Sequence, residues 1–348
     1  MSAALDLARD RPPVSAAAGP LLSVEGVTKY FVKRPSLAEK VAGLLGQPAR
    51  TITVKAVDGV DLTIAKGEVV GLVGESGCGK STLGRMVAGI YPPTSGVVRF
   101  EGRDVNALEG AERRRADLAV QMIFQDAMAS LNPRMRVEEI IGEAPVVHGL
   151  VPARERREAV AEIMRRVGLD PATMRRYPHQ FSGGQRARIG IARALAVKPT
   201  ALVCDESVAA LDVSIQAQVL NLFMRLREEF GLTYLFVSHD LGVIAHLSDR
   251  VAVMYLGRIV ELGDTESLFA APNHPYTQAL LAEVPQLVPK KRSFAAIKGE
   301  LPSPIDPPPG CHFHPRCPHA FDRCRVERPA LKEIAPGRRS ACHLNDVR

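Results

Sequence analysis

The residues with the most definite chemistry are Gly74-Glu75-Ser76-Gly77-Cys78-Gly79-Lys80-Ser81-Thr82, which read G-x-x-x-x-G-K-S/T. This spacing makes a phosphate-binding loop. Its glycines let successive backbone N–H groups turn inward as a nest for phosphate oxygens, ahead of a helix N-terminus. Lys80 brings a full positive charge over the β- and γ-phosphates, and the Ser81 hydroxyl is placed to ligate Mg²⁺. Kinases, GTPases, helicases and transport ATPases all use such a loop. Further on, Gln125 follows the apolar run Val120–Phe124, and Asp205-Glu206 follow Ala201–Cys204. Paired carboxylates suit a Mg²⁺ partner and a base that orients water, or simply a polar strand cap. His239, just past Thr233–Val237, reads as a ligand-facing donor or as a structural histidine. Ser182-Gly183-Gly184-Gln185 precedes a helical run. Ser182 reads as an N-cap and the glycines permit close approach, giving a second anion-binding helix start or an ordinary loop. Phe31 is either a base-stacking ring or a core residue.

These groups need a scaffold that brings distant segments together. Val69–Val73 is a β-branched apolar run directly before the phosphate loop, and Leu83–Ile90 reads as helix directly after it. That strand–loop–helix context is the one the motif requires. Gln125, Asp205-Glu206 and His239 each end another strand-like run. In a parallel sheet such ends line one edge, where α/β folds place ligands. Asp126 to about Gly190 is rich in helix formers and arginine, with Pro133, Pro145, Pro152, Pro171 and Pro178, and reads as an inserted helical subdomain. Val213–Phe230 reads as a long helix closed by Gly231. Between Val32 and Lys55 an insert carries Leu37, Val41, Leu44 and Leu45 at amphipathic helical spacing. Arg113-Arg114-Arg115 reads as a solvated face.

With 348 residues, 46% hydrophobic and 24% charged, the chain has the composition of an ordinary globular protein of one and a half to two domains. No apolar run approaches the roughly eighteen residues of a membrane span. Residues 1–20 lack a signal-peptide core and are expected to be a disordered tail of a cytoplasmic protein. A net charge of +7 is modest and gives no ground for nucleic-acid binding. Four of the six cysteines lie after residue 310, in a proline-rich stretch expected to have little regular structure.

Taken in order, the phosphate loop, Gln125, Ser182-Gly183-Gly184-Gln185, Asp205-Glu206, Ala210-Leu211-Asp212 and His239 make a set that resembles the ABC ATPase superfamily. The implied fold is α/β: a RecA-like core sheet, an antiparallel β subdomain and an inserted helical subdomain at about 126–190. The ATPase domain is expected over 21–265 and a small irregular extension over 266–348. Ser130-Leu131-Asn132-Pro133-Arg134, Asp212–Gln218 and Met254-Tyr255-Leu256-Gly257 resemble the ATP-binding subunits of dipeptide and oligopeptide importers, the second of the two ATPases in particular. His274–Leu281 and Gly310–Pro318 resemble the C-terminal extension of the same subfamily. About sixty residues separate Gln125 from Ser182, too few for the long coiled coils of chromosome and repair ATPases at about 1.5 Å per residue. An importer of nickel or another small solute, or a soluble non-transport ATPase, stays the alternative.

The resemblance implies roles residue by residue. Phe31 stacks on adenine, and Gly74, Glu75, Ser76, Gly77, Cys78, Gly79, Lys80, Ser81 and Thr82 hold the phosphates of ATP. Ser81, Gln125 and Asp205 serve Mg²⁺, Glu206 is the base and His239 contacts the γ-phosphate. Ser182, Gly183, Gly184 and Gln185, with Asp212 nearby, meet the nucleotide of a second ATPase subunit. The implied partners are two membrane permeases, a similar ATPase (or a second copy) and, indirectly, an extracytoplasmic solute-binding protein, with the chain on the cytoplasmic face of the membrane. The chain departs from the family pattern at Ser207 (usually Pro), Ala209 (usually Ser) and Ala127 (often Pro). Cys311, Cys317, Cys324 and Cys342 are spaced C-x5-C-x6-C-x17-C. They lack the C-x2–4-C pair usual for zinc and suit a 4Fe–4S cluster, which the resemblance also implies. Zinc, with His312, His314, His319 or His343 nearby, and four unligated thiols are the alternatives.

Overall fold

The computed structural model describes residues 19–35, 51–282 and 299–347. The helix expected around Leu37–Leu45 and most of the expected N-terminal tail lie outside these residues. The chain opens with two long strands, β1 (Leu22–Lys33) and β2 (Ile52–Ile64), paired antiparallel from Leu22↔Ile64 to Lys33↔Ile52. Strand thus takes up both flanks of the segment expected to be an insert. β3 (Val69–Val73) runs into the phosphate loop and then α1 (Lys80–Val87). β4 (Ser95–Phe100) and β5 (Arg103–Asp104) complete a four-stranded sheet of order β2-β1-β4-β5.

After α2 (Gly110–Ala119) comes β6 (Val120–Ile123), and then the helical segment with α3 (Val137–Val147), α4 (Arg156–Arg166) and α5 (Gly183–Leu195). The chain returns through β7 (Ala201–Asp205), α6 (Val213–Phe230), β8 (Thr233–Val237), α7 (Leu241–Leu247), β9 (Arg250–Tyr255) and β10 (Arg258–Asp264). Gly231, at φ 63°, closes α6 in the left-handed conformation that only glycine adopts cheaply. α8 (Thr265–Ala270) and α9 (Pro275–Ala282) follow, then α10 (Asp322–Val326), β11 (Lys332–Ala335) and β12 (Arg338–Ser340).

The second sheet has the order β11-β12-β10-β9-β3-β8-β7-β6. β6, β7, β8, β3 and β9 run parallel, and β10, β12 and β11 add antiparallel pairs at one edge. β3, β7 and β8 are buried along their whole length, as parallel strands covered on both faces must be. Alternation divides their side chains between two cores. Val69, Leu202, Cys204, Tyr234 and Phe236 face the helical side; Val70, Leu72, Val203, Leu235 and Val237 face the antiparallel sheet. The C-terminal segment is more regular than its prolines lead one to expect, because β12 pairs with β10 at Glu261↔Ser340 and Leu262↔Arg339.

Candidate functional site

Register alone sets the site. Leu72 pairs with Val237, Val237 with Asp205, and Cys204 with Ile123. The residues that follow these strands, Gly74, His239, Glu206 and Gln125, therefore leave the sheet along one edge. The phosphate loop sits there in a shape that glycine makes possible. Gly74 has φ 151° and Gly79 has φ 109°, and a Cβ on either would lie 2.1 Å from a backbone carbonyl, Met254 O and Ala56 O respectively. Lys80 is buried, its Nζ donating to the carbonyls of Gly74 (2.7 Å) and Glu75 (2.9 Å). The ammonium thus ties the loop across its own mouth.

The Ser81 hydroxyl donates to Asp205 Oδ1 at 2.7 Å. Asp205 is 1% exposed, and burial pushes its carboxyl above the usual range, opposed by the Ser81 hydrogen bond and the Arg85 charge. The Gln125 amide donates to Glu206 Oε2 at 2.8 Å, and His239 Nδ1 lies 3.5 Å from Glu206 Oε1. Glu206 holds φ 46°, a costly conformation for a residue with a side chain, and its N–H donates to Val237 O at 3.0 Å. Side chains from two distant segments therefore meet at one carboxylate. Ser81, Asp205 and Gln125 supply hard oxygen donors of the kind Mg²⁺ takes.

Phe31 is 39% exposed, edge-on to Tyr91 with centroids 5.7 Å apart, and its cross-strand partner is Val54. Val54 stands two residues from Ala56, whose carbonyl abuts Gly79. Ser182 caps α5: Gln185 N–H donates to Ser182 Oγ (3.3 Å) while Gln185 Oε1 accepts from Ser182 N–H (3.0 Å). This helix start faces the segment after β7, since a Cβ on Gly184 would lie 2.4 Å from Ile215 Cγ2. Asp212 is exposed at the start of α6.

Two contacts to the phosphate loop have no counterpart in the sequence reading. Tyr276 Oη accepts from the Glu75 N–H at 2.8 Å, and the Arg316 guanidinium reaches the Glu75 carboxylate at 2.9 and 3.0 Å. No local pattern signals partners 201 and 241 residues apart.

The C-terminal cysteines are unpaired thiols. Burial pushes the Cys311 thiol to about 11 and raises Cys317 and Cys342. Among the described residues, however, no three Cys, His, Asp or Glu side chains are gathered as a metal-holding group. The expected 4Fe–4S or zinc site is therefore unsupported by this geometry. The thiols are spread among the packing of the extension: Cys311 and Cys317 pack against the helical-side core, and Cys324 is buried at the α10 turn.

Residues 57–209 match the family described as ABC transporter, and residues 260–324 match the oligopeptide/dipeptide transporter C-terminal region. The oligopeptide transport ATP-binding protein AppF of Bacillus subtilis is 51% identical over 328 residues, spanning 93% of this chain and 97% of that protein. A putative peptide import ATP-binding protein of Brucella ovis is 48% identical, spanning 94% and 99%. Among solved structures, the ATP-binding cassette MJ0796, a dimer with ADP and Pi in a post-hydrolysis state, superposes with a TM-score of 0.59 at 27% identity. It covers 70% of this chain and 98% of that one.

Proposed function

Because this chain belongs to the ABC transporter family of ATP-binding proteins, in the branch carrying the oligopeptide/dipeptide C-terminal region, we propose that it energises peptide import through a membrane ABC transporter. It binds and hydrolyses ATP. The observation that carries the proposal is the convergence of Ser81–Asp205 and Gln125–Glu206 on the sheet edge that also holds the phosphate loop.

The roles follow from the groups themselves. The amides of Gly74–Thr82 and the Lys80 ammonium bind the phosphates of the MgATP substrate. Ser81, Asp205 and Gln125 hold its Mg²⁺, and Phe31 offers a ring to the base. Glu206 takes a proton from the attacking water as the new O–P bond forms and ADP departs. Its strained backbone, with Gln125 and His239 on either side, fixes the carboxylate rather than leaving it to swing. Phosphoryl transfer asks for such positioning and charge more than for covalent chemistry. Ser182–Gln185 and Asp212 serve the nucleotide of a second ATPase subunit. ATP bridging two subunits then favours the closed state by differential affinity, which is what moves a transporter.

The partners in this reading are two permeases, a second similar ATPase or a second copy, and an extracytoplasmic binding protein acting through the permeases. Among the described residues no helix is long and apolar enough to cross a membrane, which fits attachment at the cytoplasmic face through the permeases. An iron–sulfur cluster or zinc at Cys311, Cys317, Cys324 and Cys342 is the finer reading of the extension. It rests on the four cysteines of the extension and their spacing alone, and iron, sulfide and zinc analysis of anaerobically purified protein decides it. The function is tested by deleting the chain and following uptake of labelled di- and oligopeptides. Lost uptake, restored by the wild-type chain and not by Glu206→Gln, is expected; undiminished uptake overturns the proposal.

A further inference from the structure

Glu75, in the phosphate loop, is held through its amide, its carbonyl and its carboxylate. Its N–H is taken by Tyr276 Oη at 2.8 Å, its carbonyl by Lys80 Nζ at 2.9 Å, and its carboxylate by Arg316 at 2.9 and 3.0 Å. Tyr276 and Arg316 both lie outside the residues that match the ABC transporter family, in the C-terminal region. Arg316 is itself well placed to stay put. Its side chain is 6% exposed and donates to Tyr255 Oη at 3.4 Å. Tyr255, Tyr276 and Phe313 form a buried aromatic cluster, with centroids 4.6 to 5.4 Å apart, beneath it. Glu75 is only partly buried, its side chain 24% exposed, so removing Arg316 leaves a carboxylate that water screens in part and no cation compensates.

That charge would matter here because of what the loop binds. Glu75 is the residue after Gly74, and its carbonyl shares Lys80 Nζ with the Gly74 carbonyl. An uncompensated carboxylate in this loop opposes phosphate by like charge and competes for the Lys80 ammonium. We infer that Arg316 is a positioning residue for the phosphate loop, holding and neutralising Glu75 so that the loop accepts ATP. The C-terminal extension is thereby a working part of the nucleotide site. The inference rests on the reading of Gly74–Thr82 as the ATP site.

The interaction is made with free enzyme and does not change as the phosphoryl group transfers, so its loss falls on binding rather than on turnover. The test measures MgATP affinity of the full chain with a fluorescent ATP analogue, and KM and kcat for hydrolysis, in a double-mutant cycle. Arg316→Ala is expected to weaken ATP binding by about 5- to 30-fold, within the range of coupling between contacting residues, with kcat changed by less than about 3-fold. In a Glu75→Gln background, where no carboxylate is left to compensate, Arg316→Ala should change affinity by less than about 2-fold. Arg316→Lys should recover part of the lost affinity. If Arg316→Ala leaves affinity unchanged, the inference fails. It fails equally if the cost is as large in the Glu75→Gln background, since Arg316 would then act through the fold of the extension alone. Lys80→Ala, measured alongside, separates the two levels: unchanged ATP binding in that variant removes the ATP-site reading itself, whatever Arg316 does.

Discussion

The Gln125 side-chain amide donates to the Glu206 carboxylate across 2.8 Å, joining the ends of two neighbouring parallel strands. Glu206→Gln removes the proton acceptor we propose while preserving shape. ATP binding should persist and turnover should drop by roughly 10²–10⁴, the usual worth of a positioned general base. Steady-state hydrolysis beside equilibrium nucleotide binding checks this. Wild-type turnover in Glu206→Gln would place the base elsewhere.

Lys80→Ala should abolish measurable ATP binding at concentrations that saturate the wild type. The ammonium is the one full positive charge inside the loop, and its loss also takes a donor from the carbonyls of Gly74 and Glu75. Fluorescence titration with an ATP analogue gives the answer, provided a circular dichroism spectrum shows the variant to be folded.

Acid should loosen the C-terminal region as pH falls from neutrality towards 4. Burial holds His274 and His312 down to about 4. Both folded-state values lie below the ordinary histidine range near 6.5, so the unfolded chain binds protons first. The stability they contribute is fully present above about pH 6.5 and is lost as pH falls through about 4, up to roughly 3 kcal/mol per histidine. Protonation also turns His274 Nδ1 from an acceptor of the Tyr276 N–H into a donor. Urea midpoints measured from pH 7 to pH 4 should fall, and His274→Gln should flatten the fall.

Ser207 offers a test of packing. Its hydroxyl is buried without a hydrogen-bond partner. Ser207→Ala should be neutral or should stabilise by about 0.5–1 kcal/mol, because an unsatisfied buried hydroxyl costs more than a methyl group. A loss of more than that in thermal or urea unfolding would reveal a partner for the hydroxyl.

What could be read from the sequence was what repeats locally. The phosphate loop announced itself by spacing, and Gln125, Asp205-Glu206 and His239 by standing at the ends of apolar runs. The α6 helix was legible from Val213 to Phe230 because Gly231 ends it. The left-handed backbone of Glu206 was not, since nothing about a glutamate requires it. Nor were Tyr276 and Arg316, whose bond to Glu75 depends on the tertiary path and leaves no periodic trace. The proline- and cysteine-rich residues after 310 read as irregular, yet β12 finds a partner in β10, because an unpaired strand edge supplies the hydrogen bonds that local propensity does not.

That pairing also sets an order of events in the life of the chain. During synthesis β10 is made well before β12, with Glu261 waiting for Ser340. For the interval between them, the antiparallel edge of the main sheet is open, with its amides and carbonyls available to any passing strand. Non-local pairings of this kind close late and leave exposed edges meanwhile. Newly made chains of this protein should therefore lean on chaperones most in that interval, and a ribosome stalled there would present a sticky, half-finished sheet.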